Sequence, residues 1–409
     1  MRMILFTAWR NIWRHRSRSL VVMIALMLGL WAGNFIMAFA FGVYDQRIKT
    51  ALRYEIGHLQ IHHPEFEVDG KTELIIPNGD DWLRRVREQE EVQAVSARVV
   101  APYAMIQASR GAGGVRIVGV NPADEAAVSE LSSLIVEGDY FLEDKKRQIL
   151  IGQALAEQLK LKVGSRPVLN TQGADGEFSA SKYRVVGLFK SANSSFDKSR
   201  VYVLDQDLQK QLGLPNGSVH EITAILQDSR DADSLAANLK SGSEEIVLIE
   251  GWKDVAPELE LFIESADQYF YVFIGIILFA VALGVINTML MAVYDRVREL
   301  GMLMAIGMNR RRVFAMIVLE TVFLMAAAAP LGLLIAWGSI EYMSVQGLNL
   351  SAFSEGYASM GIDPLIYPKL EGSYYFKNLI LLLVVALISS LFPAWAALRL
   401  DPVKAIRKL

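Results

Sequence analysis

Few side chains in this sequence have the spacing that catalysis or metal binding requires. His58 and His62 lie at the ends of an alternating segment and share one face of a predicted strand, but no carboxylate follows at a ligand spacing. Gly70-Lys71-Thr72 ends like a phosphate-binding loop, yet Glu65 stands where that loop needs a glycine. The sequence also has no nucleophile elbow, zinc-protease or dinucleotide motif. We therefore expect no catalytic residue, metal site or bound cofactor on this chain.

The segment from 295 to 312, DRVRELGMLMAIGMNRRR, offers charge and apolar contact instead. It carries five arginines against one Asp and one Glu and lies between two long apolar runs. In a helix, Leu300, Leu303 and Met304 share one face, so they form an apolar ridge that fits a groove in a partner. Arg298 and Glu299 would pair with charges around that groove. The alternative is that the segment only anchors the membrane interface and sets topology.

Apolar runs place this segment in a membrane protein. The chain has 409 residues, is 53% apolar and contains no cysteine, which excludes disulfides and thiolate metal sites. Four runs are long enough to cross a hydrocarbon core of ~30 Å at roughly 1.5 Å per residue. We assign them to transmembrane helices at 19–44, 268–294, 313–340 and 378–398.

The distribution of charge predicts the orientation. Residues 1–18 contain five arginines and no acid, and 295–312 and the tail 399–409 are each net basic, so all three are expected in the cytoplasm. Residues 45–267 hold 25 basic and 36 acidic residues, and the 341–377 loop is also net acidic, so both are expected outside. A signal peptide cleaved near residue 40 is the alternative, but the apolar run is too long for that class.

The residues between the first two runs have the pattern of a soluble α+β domain. We expect subdomains at about 45–130 and 131–250 and a stalk helix at 251–267. Strands are predicted in both subdomains, at 58–62, 94–100, 115–120, 148–152, 167–170, 183–189, 200–204, 221–226 and 246–249. The predicted fold is a membrane protein with four transmembrane helices and a large α+β domain inserted between helices 1 and 2.

Four residues inside the apolar runs are candidates for packing within a bundle or between two copies. Gly29 and Gly33 have the G-x-x-x-G spacing that allows close helix approach, or they merely occur together. Asn34 and Glu320 are polar groups that favour a protein partner over lipid. For Glu320 we expect a structural role, by a hydrogen bond within the bundle, rather than snorkelling to the interface.

Several motifs in the order and spacing of one family make a resemblance specific. Residues 295–307, DRVRELGMLMAIG, closely resemble the "REIG…AIG" signature of FtsX-like permeases, the MacB and lipoprotein-releasing branch of type VII ABC transporters. Residues 310–320, with RRR and Glu320, and the tail PAWAALRLDPVKA are similar to the same family. The segments 150–156 and 183–188 also resemble sequences of this family, so the resemblance covers nearly the whole chain.

The resemblance implies a mechanotransmission subunit of the bacterial inner membrane. In such permeases a separate cytoplasmic ATPase dimer, which binds ATP and Mg²⁺, grips a coupling helix and moves the extracytoplasmic domain. Here that helix would lie within 298–307, with its contacts at Arg298, Glu299, Leu300, Gly301, Leu303, Met304, Ala305 and Gly307. A second permease copy or paralogue would supply the other bundle. Unlike the MacB type, in which ATPase and permease are fused, this chain needs the ATPase in trans.

The prediction of the substrate rests on a weaker similarity than the assignment of the family. Gly251-Trp252-Lys253 before a long helix resembles the LolC/LolE-like branch, which implies transfer of lipoproteins to a periplasmic carrier. The tip of an expected hairpin, 173–181, is then a candidate carrier contact, with Gly173, Asp175, Gly176 and Phe178. The aromatic 341–377 loop is long for that branch. Three alternative functions stay open: efflux through a periplasmic adaptor, control of a cell-wall hydrolase, and an ATP-independent receptor or scaffold. No nucleic-acid partner is expected.

Overall fold

The computed structural model describes residues 2–14, 16–143, 145–241, 247–353, 356 and 362–399. Two units divide the chain. One consists of Met1–Tyr44, Ile263–Asn349 and Leu365–Leu409, and the other of Asp45–Phe262 and Leu350–Pro364. We call them the bundle and the outer domain.

The helices are α1 Arg2–Arg14, α2 Arg16–Thr50, α3 Phe66–Asp69, α4 Gly79–Arg87, α5 Pro122–Ser129, α6 Gln153–Leu159, α7 Ser194–Ser199, α8 Asp205–Leu212, α9 Ala232–Ser241, α10 Trp252–Val255, α11 Pro257–Asp295, α12 Val297–Ala305, α13 Arg310–Gln346 and α14 Gly372–Leu398. The strands are β1 Leu59–His62, β2 Val92–Ala108, β3 Gly111–Val120, β4 Ile135–Gly138, β5 Gln148–Gly152, β6 Val168–Gln172, β7 Phe178–Lys182, β8 Arg184–Phe189, β9 Arg200–Leu204, β10 Glu221–Leu226, β11 Leu248–Gly251, β12 Leu348–Asn349 and β13 Leu365–Ile366.

Four helical segments of the described chain are long and apolar enough to cross a membrane: 16–56, 268–295, 310–346 and 372–398. The first continues past α2 as a π-helical turn, Ala51–Ile56. These four helices and the α/β domain between the first and second confirm the predicted fold class. The helices extend beyond the predicted runs, since α13 continues to Gln346 and α14 begins at Gly372, and a two-stranded β12–β13 ribbon lies between them.

The bundle core consists of apolar side chains from α1, α2, α11, α12, α13 and α14. Val285 and Ala328 are fully buried at its centre, and Leu26 of α2 is 1% exposed. Many other side chains on the same helices are exposed and apolar, such as Phe279 and Ile388. This combination is typical of helices whose outer surface faces lipid.

An eleven-stranded mixed sheet organises the outer domain, with β11-β1-β10-β2-β3-β9-β5-β8-β4 along its path and the β6–β7 pair attached to β2. The long strand β2 pairs with β3, β10 and β6 and therefore joins the two ends of the sheet. Helix α4 packs Trp82 and Val86 on the β1 end, and α6 and α8 pack Leu155 and Leu208 on the β5 end. Three apolar cores result from this arrangement.

The alternating segment at His58 is not the half-exposed strand that its pattern predicts. β1 lies between β10 and β11, and all four of its residues are buried. His58 Nδ1 accepts a hydrogen bond from Leu226 N–H at 3.0 Å, and His62 Nε2 lies 3.2 Å from Glu250. Polar residues occur in this interior strand because neighbouring strands satisfy them, which a single-strand pattern does not reveal.

The predicted hairpin differs in its partners. Instead of pairing 167–170 with 183–189, the chain folds β6 against β7, Phe178–Lys182, through a turn at 173–177. β8 instead pairs with β5 in parallel and β4 antiparallel. The segment 178–182 is polar apart from Phe178 and Ala180 and so has little apolar signal of a strand.

The predicted stalk helix is divided. α10 ends at Val255, and Ala256 has φ −133°, which is outside the helical region. α11 then begins at Pro257, where the fixed φ and missing N–H of proline suit the first turn of a helix. From there α11 runs without a break into the second spanning segment.

A buried charge cluster lies between β2, β10 and helix α5, which carries Glu125. Arg98 donates to both carboxylate oxygens of Glu125, at 2.7 and 3.0 Å, and to Glu221 at 2.7 Å. Ser96 and Thr223 donate to the same two carboxylates. Burial opposes ionisation of Glu221, but Arg98 and then Arg116 outweigh it and lower the pKa of Glu221 to about 2. Arg98 therefore pairs with two buried carboxylates, and Glu221 is charged at neutral pH.

Protonation of His220 is expected to weaken the outer domain in mild acid. Its Nδ1 accepts from Val100 N–H at 3.1 Å, so its Nε2–H donates to the carbonyl of Thr72 at 2.9 Å, and the ring is buried and neutral. Burial, the largest cause, lowers the pKa of His220 to about 4. The unfolded chain takes up this proton near pH 6.5 and the folded one near pH 4, so stability is lost as pH falls between these values, by about 3 kcal/mol.

Hydrogen exchange of the β2 amides in the detergent-purified chain measures this loss. Burial raises the pKa of Asp197 to about 6, which acts in the opposite sense, so wild type is compared with His220→Gln, whose amide has one acceptor and one donor group but takes up no proton in this range. The variant should lose less protection between pH 7 and pH 4. Equal pH dependence of the two proteins would show that His220 is not responsible.

Candidate coupling site

Helix α12 forms the connection between two spanning helices. α11 ends at Asp295, and α12 follows after Arg296. At the other end Gly307 has φ +101°, a conformation that side chains disfavour, and it turns the chain toward α13. Asn309 then caps α13 by accepting a hydrogen bond from Arg311 N–H at 3.2 Å. The predicted loop is therefore a short helix with defined ends.

The apolar ridge predicted on α12 faces its own bundle. Leu300 is 2% exposed, Gly301 is also buried, and both Leu303 and Met304 pack against the bundle core. The three apolar residues do share one face, but they attach α12 to the spanning helices and leave little of that face for a partner. The i, i+3, i+4 spacing identifies a buried face without telling which neighbour covers it.

The opposite face of α12 is exposed. Arg298, Met302 and Ala305 follow an i, i+4, i+7 pattern, and Ile306, the residue directly after the end of α12, continues it at i+8. Ile306 and Met302 are 86% and 44% exposed. Glu299 lies at its side, 36% exposed, and pairs with Arg14 at 3.1 Å. We call Arg298, Met302, Ala305 and Ile306 the coupling surface. Two exposed apolar side chains and one arginine on a rigid helix suit a protein partner.

Glu320 lies at the centre of a buried polar network behind α12. It is 7% exposed and accepts hydrogen bonds from Asn11 Nδ2 at 2.7 Å and from Arg296 Nη1 at 3.0 Å. Arg296 directly precedes α12, and Asn11 belongs to α1. Arg18 of α2 and Asp295 also form an ion pair. The network joins α1, α12 and α13 through one carboxylate.

A small cavity of about 30 Å³ adjoins this network, and its polar lining includes Asn11, Arg18, Thr288, Arg296 and Glu320. A cavity of this size and polarity admits a water molecule. Arg18 Nη1 and Arg296 Nε are buried without a hydrogen-bond partner among the described residues, and a water in the cavity could satisfy such donors.

The packing candidates of the first helix have separate roles. A Cβ on Gly29 would lie 2.5 Å from Cγ2 of Val281, so glycine is needed where α2 meets α11. Gly33 has no such neighbour among the described residues, and the two glycines do not form one contact. Asn34 is fully buried; its Oδ1 accepts from Asn378 Nδ2 at 3.0 Å, which ties α2 to α14.

The predicted carrier-contact residues lie at the β6–β7 hairpin. Gly173 and Gly176 close its turn, Gly176 with φ +83°, and Asp175 Oδ1 accepts from Glu177 N–H at 3.0 Å. Phe178, the first residue of β7, is 87% exposed. It lines an open groove that also includes Tyr103 and Met105, both exposed. An apolar patch of this kind is a candidate interaction site.

Metal binding has no support in the described part of the chain, where no group of three or more His, Asp and Glu side chains could hold an ion. His58 and His62 are satisfied by backbone and carboxylate partners, as given above.

Comparison with protein families identifies these units. The model of the MacB-like periplasmic core domain matches residues 19–241, more than half of the chain, and that of the FtsX-like permease C-terminal domain matches residues 271–402. The chain belongs to the MacB/FtsX family of ABC transporter permeases. Members of this family work with an ATPase, and the predicted resemblance is confirmed.

Relatives of this permease are distant, and some of them are matched along nearly their full length. An ABC transporter permease of Methanocaldococcus jannaschii is 22% identical over 99% of this chain and 97% of its own. The lipoprotein-releasing system protein LolE of Haemophilus influenzae is 20% identical over 98% of both chains. The macrolide export ATP-binding/permease protein MacB of Agrobacterium fabrum is 23% identical over 80% of this chain and 51% of its own.

Two residues of the permease's polar network escape the sequence analysis. The charge pattern predicts Arg296 only as a loop arginine, and no motif singles out Asn11. A periodic pattern is present in α1, where Ala8, Asn11 and Ile12 recur at helical spacing and are all buried. That pattern predicts a packed helix but does not show that its partner is Glu320, 309 positions away.

Proposed function

We propose that this permease is the membrane subunit of an ATP-driven mechanotransmission transporter whose separate ATPase dimer docks on the coupling surface of α12. The observation that carries the proposal is the exposure of Met302 on α12 and of Ile306 directly after it, while Leu300 anchors the other face of the helix. α12 lies between α11 and α13 in the chain. Because one of its faces is packed against the bundle and the other is exposed, a force that the ATPase applies to the exposed face is transmitted to these two helices. Both termini are cytoplasmic in this proposal, as the basic segments predict.

The proposed cargo is a lipoprotein, which the outer domain passes to a periplasmic carrier. The full-length similarity to LolE supports this assignment. The exposed Phe178 and its groove offer the carrier an apolar contact, and the Gly176 turn holds the hairpin in a defined shape. A second permease copy or paralogue completes the transporter.

Co-purification tests the docking site. Met302→Asp combined with Ile306→Asp is expected to reduce recovery of the ATPase at least roughly tenfold, because two carboxylates would be desolvated at the interface. Both side chains are exposed, so the fold should be retained. Val68→Asp, at an 82% exposed apolar residue of the outer domain, is the matched control. Normal recovery with the double variant would refute docking at this surface and favour an ATP-independent receptor or scaffold.

Efflux through a periplasmic adaptor is the second candidate, which the MacB-like core domain favours. Photocrosslinkers at Phe178 and at the lipid-facing Tyr271 of α11 separate the two. Lipoprotein release predicts adducts with lipid-modified proteins at Tyr271 and with a soluble carrier at Phe178. Efflux predicts adducts with small amphiphiles and a membrane-anchored adaptor instead.

A further inference from the structure

An open cleft of about 990 Å³ in the outer domain has a basic lining. Its cationic side chains are Lys49 at the end of α2, Arg53 in the π-helical turn that follows, Lys190 after β8, and Lys198 in α7. All four are exposed. We call this site the cationic cleft. Ligand-binding clefts typically have volumes of about 300–1,000 Å³, so a small polar ligand or a lipid headgroup has room there.

The charge of the cationic cleft is opposite to that of the domain around it. Residues 45–267 hold 36 acidic and 25 basic residues. In the cleft, four cations face only two carboxylates, those of Glu157 and Asp363. Cations that lie close together repel one another unless an anion neutralises them, and a cleft concentrates their field. The cleft therefore suits a negatively charged ligand.

The two lysines after β8 are the cations of the cleft that are open to a ligand. Lys49 pairs with Asp45 at 2.7 Å and Arg53 with Glu130 at 3.5 Å, and neither acid lines the cleft. No carboxylate of the described residues lies within the ion-pair limit of 4.0 Å from Lys190 or Lys198. Both ammonium groups therefore have hydrogen-bond donors to offer to an anion.

The two walls of the cleft are tied together at Glu55, in the same π-helical turn as Arg53. The Glu55 carboxylate accepts hydrogen bonds from Arg47 Nη1 of α2 at 3.3 Å and from Asn193 Nδ2 at 2.9 Å. Asn193 also caps α7, which carries Lys198. The cations thus belong to elements that are already held in place, which reduces the entropy lost when a ligand binds.

The position of Lys49 indicates which anion is available. It lies on the same continuous helix as the first spanning run, which ends at Tyr44, five residues earlier. Five residues of helix rise about 8 Å. The polar layer on each side of the hydrocarbon core is ~5–8 Å thick. Lys49 is therefore at the level of the lipid headgroups, in the leaflet next to the outer domain.

We propose that the cationic cleft binds the phosphate of an anionic phospholipid, with Lys190 and Lys198 as its charged contacts. Ammonium groups donate charge-assisted hydrogen bonds to phosphate oxygens, and the acyl chains stay in the bilayer. A zwitterionic lipid would bring a quaternary ammonium group that the lysines repel. In the orientation proposed above, this is the outer leaflet. The site goes beyond the proposed function, because it requires neither an ATPase nor a cargo.

Native mass spectrometry of the full chain, titrated in detergent with phosphatidylglycerol, tests this site. Lys190→Gln combined with Lys198→Gln should weaken the tightest lipid adduct roughly tenfold, because two cationic contacts are lost. Both side chains are exposed, so the fold should be retained. Lys182→Gln combined with Lys210→Gln is the matched control: it removes the same charge from two exposed lysines outside the cleft and should leave the affinity unchanged.

Two further ligands separate a lipid from a soluble anion. Phosphatidylcholine should bind wild type several-fold more weakly than phosphatidylglycerol, and glycerol phosphate, which has no acyl chains, should not displace phosphatidylglycerol at equal concentration. Equal losses in the two double variants would show that the lipid binds elsewhere. Equal binding of the two lipids would contradict recognition of an anionic headgroup, and displacement by glycerol phosphate would assign the cleft to a soluble phosphate. These measurements use no ATPase, so their failure is independent of the docking test.

Discussion

Replacing Arg98 by methionine should destabilise the outer domain by about 3–5 kcal/mol, because Glu125 would be left as a buried carboxylate without its cation and Glu221 would keep only the 3.4 Å contact with Arg116. Glu125 has no exposed surface and Glu221 is 5% exposed, so neither reaches water without unfolding. The strands that carry the cluster, β2 and β10, lie in the middle of the sheet. A loss of this size is comparable with the whole stability of many domains. We therefore expect poor expression or a partly unfolded outer domain.

Pulse proteolysis of the purified chain in urea measures this effect, and Arg116→Met provides the matched control. Arg116 contacts the same Glu221, at 3.4 Å, but its side chain is 25% exposed. Its loss should cost less than about 1 kcal/mol. Similar urea midpoints for the two variants would contradict the assignment of the Arg98 cluster as a fully desolvated ion-pair network.

Replacing Glu320 by leucine should weaken the bundle by about 3 kcal/mol and reduce ATPase association. Arg296, with a side chain 11% exposed, would lose its carboxylate partner at 3.0 Å and keep only Glu299 at 3.5 Å, and the Asn11 amide would lose its acceptor. The orientation of α12 depends on Arg296, so the coupling surface should lose its fixed position. Thermal aggregation in detergent reports the stability, and co-purification reports the association.

A second substitution separates charge pairing from packing. Adding Arg296→Met to Glu320→Leu removes both charges, so most of the lost thermal stability should return while ATPase association stays low. If the double variant were as unstable as Glu320→Leu alone, the ion pair would not account for the loss.

Much of the fold follows from local sequence. Runs without charge identify the four spanning helices because lipid excludes charge, and the acidic outer domain contrasts with basic connections. The strand bounds of β5, β9 and β10 agree with the predicted ones, since continuous apolar runs between turn residues leave few alternatives. The α+β character of the domain could be inferred in the same way.

Features that depend on distant neighbours could not be inferred. β1 is buried on both faces because β10 and β11 flank it, although its own alternation indicates one exposed face. The β6–β7 pairing rests on a weakly apolar segment. The ridge of Leu300 was assigned correctly to one face of α12, but whether its own bundle or a partner covers that face depends on packing across the bundle. The Asn11–Glu320 contact is the hardest of these features to infer, because the two residues are the farthest apart in sequence.

The measurement that tests the account most directly is photocrosslinking from the coupling surface. A crosslinking amino acid at Met302 of α12 or at Ile306, directly after its end, is introduced into the full chain in membranes that contain its ATPase. We expect an adduct of this 45.5 kDa chain with the ATPase from both positions, and none from Val68 in the outer domain. Intact ATPase association without an adduct from either position of α12 would contradict docking on the coupling surface.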